Sequence, residues 1–469
     1  ARGHGDGGAA EQASQVRATN DGTEAGEHAD GKLRGARDAG QRVTARDYVC
    51  RMTIDAPLLD ALRTRGQLYQ YTDHLPAALA AGPLRAYCGF DPTAASLHVG
   101  NLVPVMGLRR LVAAGHHVVA LVGGGTAMIG DPSGKSAERP LLTADDVAAN
   151  GAAIGRQLRG LLGDGVTMVD NGDWLGATGL IPFLRDVGKH FPVNGMLAKD
   201  TVRSRLESGI SYTEFSYMLL QAYDFLQLFQ RHGVTLQLGG SDQWGNITAG
   251  TELIRRSVGG VAHGMTFPLL TTASGKKFGK SEAGAIYLDP ALTSSYAFYQ
   301  FWINTDDADL PTLLRLFTML PDDEVLALEA SHADAPHERR AQQVLAREVT
   351  TWVHGADEYA RVRAASAVVF DKRADPASIT DAVYETLCTA VPSATRGADA
   401  LIVAELLEAL FGVSRSQAKK LVQQGAVTVN GVKLSPDAVT LPADTAVRGR
   451  WVLVRKGARE VGIVAVTAG

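Results

Sequence analysis

Two short strings in the chain carry side chains suited to polyphosphate chemistry. His98-Val99-Gly100-Asn101 follows an apolar run, Leu84 to Cys88, and opens a stretch of helical periodicity. A helix start offers free N–H groups and a favourable dipole, so His98 can donate to a phosphate oxygen while Gly100 leaves room for a flat base. His-x-Gly occurs about once by chance in a chain with 12 His and 51 Gly, so its position after a strand carries the meaning. The second string is Lys276-Lys277-Phe278-Gly279-Lys280-Ser281, which is either a solubilising turn or a mobile clamp that closes on a triphosphate. Between them lies Gly130-Asp131-Pro132-Ser133-Gly134-Lys135-Ser136. It is not a P-loop, because position 129 is Ile, Gly130 stands too close to Gly134, and Pro132 lacks an N–H. Lys135 and Arg139 still suit a leaving polyphosphate.

A third group is built for a polar small molecule. In the helical pattern Phe215 to Gln230, Tyr217, Gln221 and Asp224 recur at i, i+4 and i+7 and share one stripe. A carboxylate in so apolar a helix needs a partner, which is either a core polar network or a ligand. Gly239-Gly240-Ser241-Asp242-Gln243-Trp244-Gly245-Asn246 joins glycines to an acid placed to accept from a ribose hydroxyl. No set of metal ligands is visible, and Cys50, Cys88 and Cys388 form no CxxC pair, which points to a reducing, intracellular compartment.

The elements that must position these residues follow a strand, helix, strand grammar. Leu84 to Cys88 and Val118 to Val122 read as strands, with a glycine cluster at Gly123 to Gly125 and later strands at Val166 to Val169 and Thr235 to Leu238. Glycines at strand ends predict a doubly wound parallel α/β sheet with ligands at those ends. From Thr293 to about Leu387 the pattern is helical, with Glu338 to Val353 the clearest amphipathic stretch. Pro392 to Ala400 reads as a polar linker. Beyond it, Ser414 and Gln417 form a capping box that opens a helix, Gly425 stops it, and Ala426 to Val429 leads into the hairpin signal Asn430-Gly431.

Length and charge agree with this division. At ~150 residues per domain, 469 residues suggest about three units, and no apolar run is long enough to span a membrane. The net charge of −4 conceals an asymmetry: from Leu401 onward nine basic side chains face five acidic ones. A basic module on an acidic body suggests a polyanion at one end, with a solvated charged face as the bland alternative. Residues 1–46 hold nine Gly, no aromatic residue and as many acidic as basic groups, so the leader through residue 51 is expected to be disordered, with Met52 a candidate start.

Together the strings Tyr87 to Gly100, Gly124 to Arg139, Phe183 to Phe191, Gly209 to Phe225, Gly239 to Gly250 and Lys277 to Ser281 resemble a bacterial tyrosyl-tRNA synthetase of class I, from about Leu58 to Gly457. His98 to Asn101 is similar to that family's HIGH element and Lys277 to Ser281 to its KMSKS loop. The resemblance implies a Rossmann-like catalytic domain at 52–290, an α-helical domain at 291–391, a linker at 392–400 and a small α+β RNA-binding domain at 401–469. It implies that Tyr87 and Asp224 meet the phenol hydroxyl of L-tyrosine, that Asp131, Tyr217 and Gln221 hold its ammonium group, and that Gln243 lies near its carboxylate. Cys88, Gly89, Asp91, His98, Gly100, Asn101, Gly240, Asp242, Lys280 and Ser281 would contact ATP. Thr93, His98, Lys135, Arg139, Lys277 and Lys280 would grip the pyrophosphoryl charge, and Arg415, Lys419 and Lys420 would contact tRNA(Tyr). Mg2+ is implied only as a companion of ATP, and a cytoplasmic homodimer is expected. Asn101 stands where the HIGH element ends in His; its amide still donates, so activity is expected to persist. Tryptophanyl-tRNA synthetase is the nearest enzymatic alternative, disfavoured by Tyr87, Asp224 and the carboxyl-terminal module. A catalytically silent RNA-binding protein is the alternative of another class, disfavoured by the set of triphosphate cations.

Overall fold

Strands β2 (Arg85–Phe90) and β3 (His117–Val122) are almost continuously buried, as strands covered by helices on both faces must be. In the computed structural model, which describes residues 58–467 apart from 134–140, 207–208, 276–277, 282–283, 372–373, 400 and 458–459, they centre a six-stranded sheet. Its order is β1 (Gln70–Tyr71), β6 (His263–Phe267), β5 (Leu236–Gly240), β2, β3 and β4 (Thr167–Asp170). All neighbours are parallel except β1 on β6. The leader expected over residues 1–51 lies outside the described residues.

Side-chain alternation along β2 divides the core. Ala86, Cys88 and Phe90 join Leu108 and Leu158 from the helices Leu102–Ala113 and Ala144–Leu162. Tyr87 points the other way, into a second cluster with Met218, Phe225 and Leu253 from the helices Tyr212–His232 and Trp244–Val258. This is the doubly wound parallel sheet expected from the strand-end glycines. The sequence pattern missed β6 because His263 and Gly264 interrupt its apolar run, although all five of its residues are buried.

The expected helical stretch is present as Ser295–Ile303, Leu310–Phe317, Asp322–Asp334, Arg340–His354, Ala356–Phe370 and Asp381–Ala390, with short 3-10 turns between. After it the structure corrects the linker: Ser393–Gly397 is not a connector but strand β9, paired in parallel with β13 (Glu460–Thr467). The polar residues there hid a strand whose order comes from its partner rather than from burial. The second sheet runs β11 (Val432–Lys433), β10 (Val427–Val429), β12 (Trp451–Lys456), β13, β9. The Ser414/Gln417 capping box forms, and Asn430 (φ 47°) and Gly431 (φ 80°) make the hairpin turn between β10 and β11.

This second sheet is buried on both faces. Val452, Val454, Val464 and Val466 pack on the helices Val403–Phe411 and Arg415–Gln423. The alternate residues Trp451, Leu453, Val461 and Ile463 join the same core as Tyr384 and Leu387 of the Asp381–Ala390 helix. Trp451 stacks on Tyr384 at 5.3 Å, its indole N–H donates to Asp381 (3.0 Å), and Arg448 donates to the same carboxylate (2.8 Å). Buried Arg455 donates to the carbonyls of Val368, Val369 and Asp371 at the carboxyl-terminal end of the Ala356–Phe370 helix. Among the described residues no helix is long and apolar enough to cross a membrane.

Candidate functional site

The chain lays β3 and β4 on one side of β2, then returns to add β5 and β6 on the other, so the strand order reverses between β2 and β5. Ligands in such sheets lie at the carboxyl ends of the two strands flanking that reversal. Gly89 is exposed there although β2 is central, and Gly240 ends β5 beside the turn Ser241–Gln243 that carries Asp242. Hydrogen bonds link several of the sequence-derived residues, Asp91 with Tyr217 and Asp131 with Gln243. Cys88 faces away from Tyr87 into the core, where burial pushes its thiol up to about 12 and leaves it uncharged near neutral pH.

A buried polar chain forms one wall. Asp224 accepts from Trp174 Nε1 (2.7 Å) and Asn171 Nδ2 (2.8 Å); Asn171 Nδ2 also reaches Thr126 Oγ1 (2.9 Å), which donates to Asp91 (2.8 Å). Tyr217 closes the chain by donating to the other Asp91 oxygen at 2.7 Å. Tyr217 and Asp91, expected on ammonium and ATP respectively, are thus hydrogen-bonded to each other in this structure. The Tyr87 hydroxyl is buried beside Asp224 with no hydrogen-bond partner among the described residues. Such a group is rare in a native interior and marks a place where a ligand oxygen fits.

Burial raises the Asp224 carboxyl to about 8, against the pull of its Asn171 and Trp174 donors and with help from nearby Asp91 and Asp170. The folded chain therefore keeps this proton to about pH 8 while the unfolded chain releases it near 3.8, so folded-state stability falls as pH rises through that window. Asp224→Asn removes the titration. Its melting temperature relative to the parent is expected to rise from pH 5 to pH 8, and a pH-independent gap in scanning calorimetry would overturn this account.

A second polar group lines the crevice toward β5. Gln243 Nε2 donates to Asp131 (2.6 Å), Asn246 Nδ2 to Gln221 (2.9 Å) and to Gln243 Oε1 (3.2 Å), and the Ser133 amide to Asp131 (2.9 Å). Three of the residues expected to hold the amino-acid end of a substrate, Asp131, Gln221 and Gln243, are thereby brought together. Reading the sequence missed Asn171, Trp174, Thr126 and Ser133 as participants. The triplet Asp170-Asn171-Gly172 at the end of β4 was the available signal, since it repeats the strand-end grammar of the other motifs.

The motif expected to face phosphate is a capped turn. His98 Nδ1 accepts from the Gly100 amide (3.0 Å) and Asn101 Oδ1 accepts from the His98 amide (3.0 Å), a reciprocal capping box at the turn Val99–Asn101. The acceptor role of Nδ1 assigns the imidazole proton to Nε2. Asn101 thus has a local structural task. Thr93 is exposed nearby, its amide bonded to the Asp91 carbonyl at 2.8 Å. Lys135, Arg139 and Lys277 lie outside the described residues. Lys280 and Ser281 form β7 (Lys280–Ser281), which pairs with β8 (Gly284–Ala285).

The basic excess of the carboxyl-terminal part divides by task. Arg415, expected on tRNA, is paired with Glu405 at 3.0 Å and Glu408 at 3.8 Å. Arg448, Arg450 and Arg455 dock the module on the helices, and Lys456 pairs with Glu460 at 2.8 Å. Lys419, Lys420 and Lys433 are exposed and, among the described residues, have no carboxylate partner. Among the described residues no cluster of three or more His, Cys, Asp or Glu is arranged to hold a metal ion.

Comparison with known proteins places the chain in a family. The profile of tRNA synthetases class I (W and Y) matches residues 79–371, and that of the Tyrosine--tRNA ligase SYY-like C-terminal domain matches residues 384–464. The Tyrosine--tRNA ligase of Anaeromyxobacter dehalogenans (strain 2CP-1 / ATCC BAA-258) is 49% identical over 87% of this chain and 99% of its own length. Tyrosine--tRNA ligase 1 of Bacillus cereus (strain ATCC 10987 / NRS 248) is 47% identical over the same shares. Among solved structures, a C-terminally truncated mitochondrial tyrosyl-tRNA synthetase from Aspergillus nidulans aligns with a TM-score of 0.61 at 32% identity, covering 67% of this chain and 94% of that one.

Proposed function

We infer the working of the site from one premise: the chain belongs to the tyrosine–tRNA ligase family of class I tRNA synthetases. It activates L-tyrosine with ATP to tyrosyl-adenylate and pyrophosphate, then transfers tyrosine to the 3′-terminal adenosine of tRNA(Tyr). The observation that carries the tyrosine assignment is the unpaired, buried Tyr87 hydroxyl beside Asp224, which together suit a phenol hydroxyl. Asp131, Gln221 and Gln243 take the ammonium and carboxylate end, supported by their mutual hydrogen bonding at the β5 side of the crevice.

Adenylate formation needs no general base, because the tyrosine carboxylate is already a nucleophile. One of its oxygens bonds to the α-phosphorus, the bond from that phosphorus to the bridging oxygen breaks, and pyrophosphate leaves with the electron pair. The chain contributes by alignment and by stabilising charge as it develops. His98 donates from Nε2 to the departing phosphates, supported by its fixed tautomer, and Thr93, Lys135, Arg139, Lys277 and Lys280 add to the same task. Gly89, Asp242 and Gly240 line the nucleoside side. In the second step a hydroxyl of the terminal ribose, by family resemblance the 2′, bonds to the tyrosyl carbonyl carbon, the bond from that carbon to the phosphate oxygen breaks, and AMP leaves with the hydroxyl proton on its phosphate. Mg2+ accompanies ATP on its phosphates, and no side chain is assigned to it. Lys419 and Lys420 contact tRNA, as the exposed cations of the carboxyl-terminal module.

A homodimer accompanies this reading, supported by exposed Leu180, Ile181, Leu184 and Val193 flanking or within Phe183 to Phe191; sedimentation of the full chain as a monomer would remove it. Two apolar residues more than two-thirds exposed on one short helix are otherwise costly to leave in water. A cytoplasmic setting is likewise part of the reading. Tyrosine-dependent exchange of labelled pyrophosphate into ATP tests the function: exchange with tyrosine and not with tryptophan is expected, and exchange with tryptophan or none at all would refute it.

A further inference from the structure

A basic phosphate-facing loop has no need of a large apolar side chain, yet Phe278 sits within one and is only 8% exposed. Its ring lies 5.4 Å from Phe301, 5.7 Å from Trp302 and 5.8 Å from Phe317, the last nearly parallel at 21°. These three rings come from the helices Ser295–Ile303 and Leu310–Phe317, and Trp302 lies 5.2 Å from Phe301 and 5.1 Å from Phe317. Aromatic groups at such separations attract beyond their buried area, so the four rings form a stiff box. The box is tied to the catalytic sheet. Arg65 and Arg110 both donate to the carbonyl of Thr318, one residue past Phe317, at 3.2 and 3.0 Å. Arg110 belongs to the helix Leu102–Ala113, which continues from the His98–Asn101 turn.

On the other side of Phe278 the loop touches that same turn. Gly279 has φ +82°, and a Cβ there would come within 2.5 Å of Val99 Cγ2, so only glycine permits the approach. The Ile286 amide donates to the Gly279 carbonyl (3.1 Å) and the Val99 amide to the Ile286 carbonyl (2.9 Å), stitching loop and turn together.

We propose that Phe278 is a positioning residue for adenylate formation: seated among Phe301, Trp302 and Phe317, it sets where the backbone of Gly279–Ser281 stands against the His98–Asn101 turn, and so acts through Lys280. The proposal rests on the reading that both strings serve the ATP phosphates. A misplacement of about 1 Å in an aligned group costs on the order of 100-fold in rate, which is the scale at stake.

The test uses the full chain and single-turnover formation of tyrosyl-adenylate. Phe278→Ala at saturating ATP is expected to slow that step roughly 10- to 100-fold while the tyrosine Kd stays within about twofold. Phe278→Met, which refills the box with a flexible side chain, returns the rate to within about threefold. The double variant Phe278→Ala, Lys280→Ala is no slower than Lys280→Ala alone, because one effect passes through the other. Multiplying losses, a parental rate in Phe278→Ala, or a tyrosine Kd that weakens with the rate would overturn the proposal. If Phe278→Ala does not fold, Phe301→Leu at the half-buried rim carries the same comparison with Lys280→Ala. A parent chain that forms no tyrosyl-adenylate would instead defeat the functional reading itself.

Discussion

Asp224→Ala is expected to lower kcat/KM for tyrosine-dependent pyrophosphate exchange by roughly 30- to 1,000-fold, the equivalent of about 2–4 kcal/mol. The loss has two sources. The substrate phenol loses a partner in a buried site, and Asn171 and Trp174 each lose the acceptor they now have at 2.8 and 2.7 Å. Buried donors without acceptors cost more than the hydrogen bonds themselves were worth. Affinity for tRNA should stay within about twofold, because the expected tRNA cations lie in the carboxyl-terminal module. Exchange kinetics and filter binding on the same preparation decide it. Equal loss of both would mean that Asp224 holds the fold together and does not select the amino acid.

His98→Ala is expected to reduce the rate of adenylate formation by about 10²–10³-fold, the range for removing one donor aimed at developing charge. Tyrosine binding should not change, since the loss falls on the transition state. His98 also accepts the Gly100 amide, so the alanine variant removes a cap as well as a donor. His98→Asn separates the two: its short side chain can keep the cap but does not present a donor where Nε2 stands. Stopped-flow measurement of the first turnover should find the asparagine variant nearly as slow as the alanine one. Full recovery in His98→Asn would show that the turn, and not the imidazole, is what matters.

The same contrast between local and distant causes runs through the chain. The Ser414/Gln417 capping box, the Asn430-Gly431 hairpin and the glycine-terminated strands were legible because each depends on residues a few positions apart. Strand β9 was not, since its polar sequence is ordered by β13, whose partner residues lie 70 positions further on. The basic tail was legible as a charge excess, but the separate tasks of its side chains were not. Its Arg448, Arg450 and Arg455 are spent on Asp381 and on carbonyls of the Ala356–Phe370 helix, and Arg415 on Glu405.

What the sequence determined by itself is therefore the strand, turn and helix grammar, the doubly wound class and the positions of the strings expected to face phosphate and tyrosine. Periodicity and turn chemistry act over a few residues, so they can be read along the chain. Only the tertiary structure decided that Asp224 keeps its proton to about 8, that Asn171 and Trp174 hold it, that the Tyr87 hydroxyl has no hydrogen-bond partner among the described residues, and that Phe278 is buried in an aromatic box. Desolvation and partner choice depend on groups that folding brings together from dozens to hundreds of residues away, and no local pattern encodes them.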